Sequence, residues 1–250
     1  MKRIAEICCG SLEDAINAQN AGADRIELTN AMYLSGLTPS IGTIKQVVNN
    51  CTIPIVAMVR PRPGGFFYND YEFRTMLADT EAIMDFNVEG IAFGCLDENC
   101  HIDIDKSKEI IDMIHQKNKD AIFHRAFDCV KDPYQSMEIL IDLGVKRVLT
   151  SGLNNTAMEG IELLTKLQDK YGDKIEILTG GGVNAENASV LMNKTGILQY
   201  HSSCKNWMRD KTTISNDVSF AFAEPPHQEE YNIVDPGIAT DFVKAIKGAS

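Results

Sequence analysis

Short apolar runs of strand length alternate with longer segments in which apolar residues recur every three or four positions, almost from end to end of the chain. Ile4 to Cys8 predicts a first strand. Ser11 to Ala21 predicts a helix: Ser11 caps it, Asp14 puts a carboxylate in its first turn, and Leu12, Ala15, Ile16 and Ala18 supply the helical period before Gly22 stops it. Asp24 to Leu28 is the next strand, followed by a helix over roughly Ser40 to Val48. Ile53 to Val59 is the third, with its helix from about Tyr71 to Phe86.

The second half repeats the pattern. Strands are expected near Gly90 to Gly94, Ala121 to Ala126, Arg147 to Thr150, Ile175 to Thr179 and Ile197 to His201. Helices are expected near Asp105 to Gln116, Pro133 to Leu143, Ala157 to Lys170, Ala185 to Asn193 and Ile238 to Ile246. Eight strands, each followed by a helix, in 250 residues are the pattern of an α/β protein of the (β/α)8 TIM-barrel type. A doubly wound open sheet is the runner-up, but the first turn, Cys9-Gly10-Ser11, lacks the G-x-G-x-x-G dinucleotide fingerprint. The chain reads as one barrel domain over 1–250. A polar stretch at about 205–236 is expected to form a long loop or arm, ahead of a C-terminal helix.

Charge narrows the partners. Lys plus Arg number 24 and Asp plus Glu 35, a net charge of −11, which argues against nucleic acid as the main partner. A few arginines in one cleft can still override that balance locally and favour a small anionic ligand. Apolar runs such as Ile53 to Val59 fall far short of the roughly 20 residues that span a bilayer, so no membrane segment is expected. The N-terminus is not expected to be a signal peptide, because Glu6 interrupts its apolar stretch. The seven cysteines, an odd number without C-x-x-C spacing, read as reduced thiols of a cytoplasmic protein.

Ligand chemistry in such barrels sits at the C-terminal ends of the strands. Side chains alternate along a strand, so Arg25, Glu27 and Thr29 are expected to face the axis, as are Glu6 with Cys8, Met58 with Arg60, and Ile122 with His124 and Ala126. Buried ions must pair with one another or with a ligand. Glu6, Glu27 and His124 are therefore candidate acid–base groups, and Arg60 and Arg125 candidate anion clamps; a purely structural ion network is the other reading. The turn Gly180-Gly181-Gly182 after strand seven suits anion binding beside a helix N-terminus, or is simply a tight turn. Ser151 and His201 end the neighbouring strands and extend that set. Arg25, Arg60, Arg62 and Arg125 are expected to make the mouth locally positive. Cys8 is the best-placed thiol: a soft ligand suited to Cu(I), or an inert buried cysteine. Phe66, Phe67 and Tyr68 are expected either to cover a pocket or to pack against a second subunit of a homodimer.

At these residues the chain resembles the CutC copper homeostasis family, over roughly Ile4 to Trp207. The resemblance rests on Glu6-Ile7-Cys8, Gly22 to Leu28, Gly36 to Ser40, Arg60-Pro61-Arg62, Phe123 to Asp128, Val148 to Gly152 and His201-Ser202-Ser203. It implies a TIM-type barrel, a cytoplasmic location and a role in copper handling, with copper as Cu(I) the implied cofactor or cargo. Two departures matter. Thr29 stands where family members often have cysteine, so a thiolate pair from strands one and two loses half. Pro63-Gly64-Gly65-Phe66 replaces the family's Gly-Gly-Asp-Phe, so any role of that aspartate is absent. The expected function is Cu(I) binding or trafficking, weak here; the alternative is an enzyme acting on a small phosphate- or carboxylate-bearing metabolite.

Overall fold

In the computed structural model, which describes residues 2–248, eight parallel strands close into a barrel in chain order. They are β1 (Ile4–Cys9), β2 (Arg25–Leu28), β3 (Ile55–Met58), β4 (Gly90–Phe93), β5 (Asp120–Phe123), β6 (Arg147–Thr150), β7 (Glu176–Thr179) and β8 (Gln199–Ser202). Pairing of β1 with β8 completes the ring and sets Glu6 opposite His201, while β1 with β2 sets Cys8 opposite Glu27. The helices outside are α1 (Leu12–Asn20), α2 (Ile41–Asn50), α3 (Asp70–Met84), α4 (Ile104–Gln116), α5 (Pro133–Asp142), α6 (Ile161–Tyr171), α7 (Ala188–Thr195) and α8 (Pro236–Gly248). The TIM-barrel expectation therefore holds.

Local chemistry explains the helix starts. Ser11 accepts from Asp14 N–H at 3.0 Å. Asn69 and Glu72 form a reciprocal capping box on α3, and Asp132 precedes Pro133 at the first position of α5. The main core lies between sheet and helices, where Ile7, Ile26, Leu28, Phe93 and Phe123 are fully buried. Inside the barrel Val56, Ala92 and Ile122 make a small apolar cluster. Beside Met58 and Leu149, much of the remaining interior is polar, and that sets up the site.

Three expected boundaries shift. The fifth strand ends at Phe123, and Arg125–Cys129 form a 3-10 turn, so Ala126 is not an inward strand position. The sixth and seventh helices start at Ile161 and Ala188, three or four residues late, because turns occupy their approaches. After β8 the chain forms an arm. β9 (Lys205–Arg209) pairs antiparallel with β12 (Glu230–Val234), and a tiny hairpin of β10 (Ile214–Ser215) and β11 (Val218–Ser219) lies between them. The arm is anchored to α1: Val234 N–H donates to the buried Asp14 carboxylate at 2.7 Å, and Asn17 donates to Val234 O at 3.0 Å. Tyr33 and Phe222 pack with ring centroids 4.5 Å apart, and Trp207 stacks on His227 at 4.3 Å.

Candidate functional site

The polar interior is built in two levels. At the N-terminal ends of the strands, Arg25, Arg147, Glu176 and Gln199 form a closed network. Arg25 donates to Gln199 at 2.9 Å, Gln199 to Glu176 at 2.9 Å, and Arg147 to Glu176 at 2.9 Å. Glu89 sits 3.8 Å from Arg25 and 3.5 Å from Arg147. This corrects the expectation that Arg25 belongs to the mouth: it opens β2, and its guanidinium is committed to the closed end. Arg62 is corrected too. It pairs with Glu72 and with loop carbonyls on the outside of the barrel.

Glu6 links the two levels. It is 2% exposed and bonds both Arg25 and Nδ1 of His201, the latter at 2.8 Å. Burial opposes its ionisation, but Arg25 and His201 outweigh that and hold the carboxyl well below the usual carboxylate range. The bond to Glu6 also fixes the imidazole, leaving Nε2 of His201 3.8 Å from Oε2 of Glu27. Glu27 in turn accepts from the Cys8 thiol at 3.7 Å. Donor atoms of Cys8, Glu27 and His201 all lie within 4.8 Å of one another. Burial pushes the Glu27 carboxyl up, and burial with the nearby Glu27 charge keeps the Cys8 thiol protonated far past neutrality. Burial lowers the affinity of His201 for its second proton, yet Glu6 and Glu27 reverse this and raise it.

Above this cluster a cavity of about 730 Å³ opens at the C-terminal ends of the strands. Of the residues expected at the site, Cys8, Glu27, Arg60, His124, Arg125, Gly181, Gly182 and His201 line it. Glu6, Ser151 and Gly180 stand behind the wall: Glu6 holds His201, Ser151 accepts from Arg125 at 2.7 Å, and Gly180 packs under His201 and Leu149. The glycine turn does not sit at a helix N-terminus as expected. Asn184 and Asn187 bond each other's backbone N–H groups in an intervening turn, and the helix begins afterwards. Gly181 and Gly182 have φ of +95° and +70°, and a Cβ at Gly181 would come within 3.0 Å of Ser151 Cβ, so glycine is required there.

His124 is buried and neutral. Burial, then the charge of Arg60, pushes its pKa down to about 3. Its Nδ1 accepts from Ala126 N–H at 3.1 Å, so the ring proton sits on Nε2. Phe66 covers the ring at 5.1 Å and lies under Arg60 at 5.1 Å. Of the three aromatics expected to cover a pocket or a second subunit, Phe66 walls the cavity, Tyr68 is instead buried beneath Arg62, and Phe67 faces outward.

Sequence reasoning missed several participants. Asp128 accepts from Arg125 at 2.7 Å, Thr150 at 2.6 Å and Ser151 N–H at 3.0 Å, tying its own turn to the end of β6. Its position after a strand end was the available signal. Gly94 is the space for His124: a Cβ there would stand 2.6 Å from Cε1 of the ring. Met32 and Met58 bring two thioethers to the cavity wall; Met58 is the inward strand residue expected, whereas no motif announces Met32, which arrives on a short 3-10 turn. Thr29 is turned to the 36–37 loop, donating to Leu37 O at 2.9 Å and touching Met58 Sδ at 3.5 Å.

Comparison with known proteins follows the same lines. A solved CutC structure from Streptococcus agalactiae superposes with a TM-score of 0.75 at 32% identity, covering 80% of this chain and 98% of that one. Phosphoribosyl anthranilate isomerase from Thermococcus kodakaraensis, at TM-score 0.58 and 13% identity over 98% of this chain and 99% of that one, shares the barrel alone. A CutC family protein of Treponema denticola is 40% identical over 98% of this chain and 100% of its own length. The copper homeostasis protein cutC homolog of Homo sapiens is 35% identical over 92% of this chain and 83% of its own length. The CutC family pattern itself matches residues 3–206, which carry all eight barrel strands and every residue of the cavity wall. A barrel whose first and last strands meet at Glu6, Cys8 and His201, matched over this span, belongs to the CutC family, whose curated mammalian members are named for copper homeostasis.

Proposed function

We propose that this CutC-family chain takes up Cu(I) at the floor of the cavity, on Cys8 Sγ and Nε2 of His201, as a cytoplasmic copper-handling protein. The observation that carries the reading is the convergence of Cys8, Glu27 and His201 donor atoms within 4.8 Å of one another. Thiolate and thioether sulfur are the soft donors that Cu(I) prefers, and imidazole suits copper as well. The Glu6 bond to Nδ1 is the kind of outer support that orients a metal-binding imidazole. Met32 and Met58 add thioethers to the wall. All seven cysteines are free, which fits a reducing compartment. Among the described residues no helix is long and apolar enough to cross a membrane.

Binding should be weak for a copper site. One thiolate is available, Thr29 supplies no second, and that thiol must give up a proton it holds firmly. Competition against a Cu(I) chelator tests this with wild type, Cys8→Ser, His201→Phe and, as a control outside the cavity, Cys100→Ser. The expected result is one weak equivalent, lost in the first two variants and kept in the control. Tight stoichiometric binding that survives Cys8→Ser would overturn the ligand assignment.

A further inference from the structure

Arg60 is 4% exposed and has no carboxylate within 4.0 Å among the described residues. The other buried guanidiniums, Arg25 and Arg147, each have one or more. Instead, Arg60 donates to four neutral carbonyls, those of Leu34, Ser35, Gly36 and Gly64, at 2.7–3.2 Å. Its Nε is buried and has no partner. The Phe66 ring and the Tyr68 hydroxyl also lie against it, but both are neutral, so this buried cation lacks the counter-charge that buried ions normally require.

A second orphan lies on the same wall. Nε2 of the buried His124 has no partner either. Since Nδ1 accepts from Ala126 and Cε1 faces Gly94, the edge left to the cavity is the one that carries the ring proton. Both orphans are donors, so whatever satisfies them must bring acceptors. Of the other lining charges, Arg125 and Lys205 are positive and Glu27 and Asp128 negative, which leaves Arg60 as the surplus. Asp128 is fully engaged by Arg125, Thr150 and Ser151, and Lys205 has no ion-pair partner among the described residues. Nη1 of Arg125 and the N–H groups of Gly181 and Gly182 donate to no protein acceptor among those residues. A chain of net charge −11 thus holds a cavity with surplus positive charge and unspent donors.

We propose that this cavity is a binding site for a small organic anion bearing a phosphate or carboxylate group, whose oxygens accept from Arg60 Nε and His124 Nε2. Its charge supplies the counter-ion that Arg60 lacks, and Arg125 with the Gly181–Gly182 turn receives the rest of the anionic end. His124 is suited to this as a neutral donor, because a hydrogen bond from Nε2 does not require the ring to gain a proton. The site is independent of the copper reading: it uses neither Cys8 nor His201.

The test is thermal melting and calorimetric titration of copper-free protein in the presence of a Cu(I) chelator. Inorganic phosphate, glycerol 3-phosphate and succinate are compared at matched ionic strength with chloride. A ligand that binds only the folded state raises the melting temperature by mass action. At least one of the three should do so, and the two families of oxyanion separate phosphate from carboxylate recognition. His124→Phe keeps a buried ring but removes the donor, and should weaken binding about tenfold or more, as loss of a charge-assisted hydrogen bond does. Arg60→Lys keeps a charge without the Nε donor and should do the same; circular dichroism confirms that each variant is folded. No response to any of the three anions beyond chloride would overturn the proposal. So would a response that His124→Phe, folded, retains at full affinity, since the anion would then lie elsewhere.

Discussion

Glu6→Gln isolates the group that couples the two levels of the barrel interior. The carboxylate is 2% exposed and bonds Arg25 and His201 at once. Removing one partner of a buried ion pair costs about 3–5 kcal/mol, because the other charge is left uncompensated. Arg25 keeps Gln199 at 2.9 Å and Glu89 at 3.8 Å, which places the expected loss at the lower end, about 3 kcal/mol. For a chain of this size each kcal/mol moves the melting temperature by about 2–4 °C, so a drop of about 6–12 °C is expected at pH 7. The pH dependence carries a sign. Glu6 has its folded pKa depressed, so its contribution is present above the unfolded pKa near 4.5 and is lost as pH falls below it. The gap between wild type and variant should therefore narrow in acid. A second arm adds Arg25→Met: with both charges gone, the double variant should be more stable than the sum of the single losses predicts. A melting temperature within about 2 °C of wild type, or strict additivity of the two substitutions, would refute the reasoning.

His124 predicts a separate acid sensitivity. With its folded pKa near 3 against 6.5 in the unfolded chain, the unfolded state takes up a proton the folded state refuses. Stability should fall as pH drops from 6.5 towards 3, and urea unfolding of His124→Phe should show a flatter profile across that window. Gly94→Ala pushes a methyl to within 2.6 Å of His124 and of Ala126 Cβ, and should cost about 1–3 kcal/mol by chemical denaturation. A control at Gly65, where a Cβ meets nothing within 4 Å, should cost far less. Association through the arm, where Phe220 is 80% exposed and Val218 57%, is expected to give a homodimer by light scattering. A strict monomer at high concentration rejects it.

Alternation along strands was enough to say which side chains point inward. Cys8, Glu27, Met58, Arg60 and His124 all reach the cavity wall, as the period-two pattern of their strands requires. What alternation does not encode is depth. Arg25 and Glu27 share a face of β2, yet one closes the bottom network and the other meets the cavity, because two residues of strand rise, about 6–7 Å, separate their levels. Glu6 and Cys8 divide in the same way. The pattern also stops at the strand ends. Asp128 and Met32 both sit in short 3-10 turns between the strands and helices, so their place depends on connecting paths that no periodicity describes. The unpaired state of Arg60 was equally hidden: an arginine after a strand looks the same whether a carboxylate or a ring of carbonyls receives it.

Closure of the barrel by β8 has a consequence for the newborn chain. Glu6 waits for His201, 195 residues later, and Asp14 waits for the backbone of Val234, 220 residues later. At a synthesis rate of about 5–20 residues per second, the first strand emerges roughly 10–40 s before its second neighbour exists. During that interval β1 is an open edge with an acid on its inner face, and Asp14 lacks the amide that its folded position supplies. The inner charge of Glu6 is the kind of feature that discourages an open strand from pairing with other chains. Arg25 arrives early, on the neighbouring strand, and neutralises Glu6 locally while the rest of the ring is made. In this light the Glu6–Arg25 pair serves a half-built protein as well as a finished one.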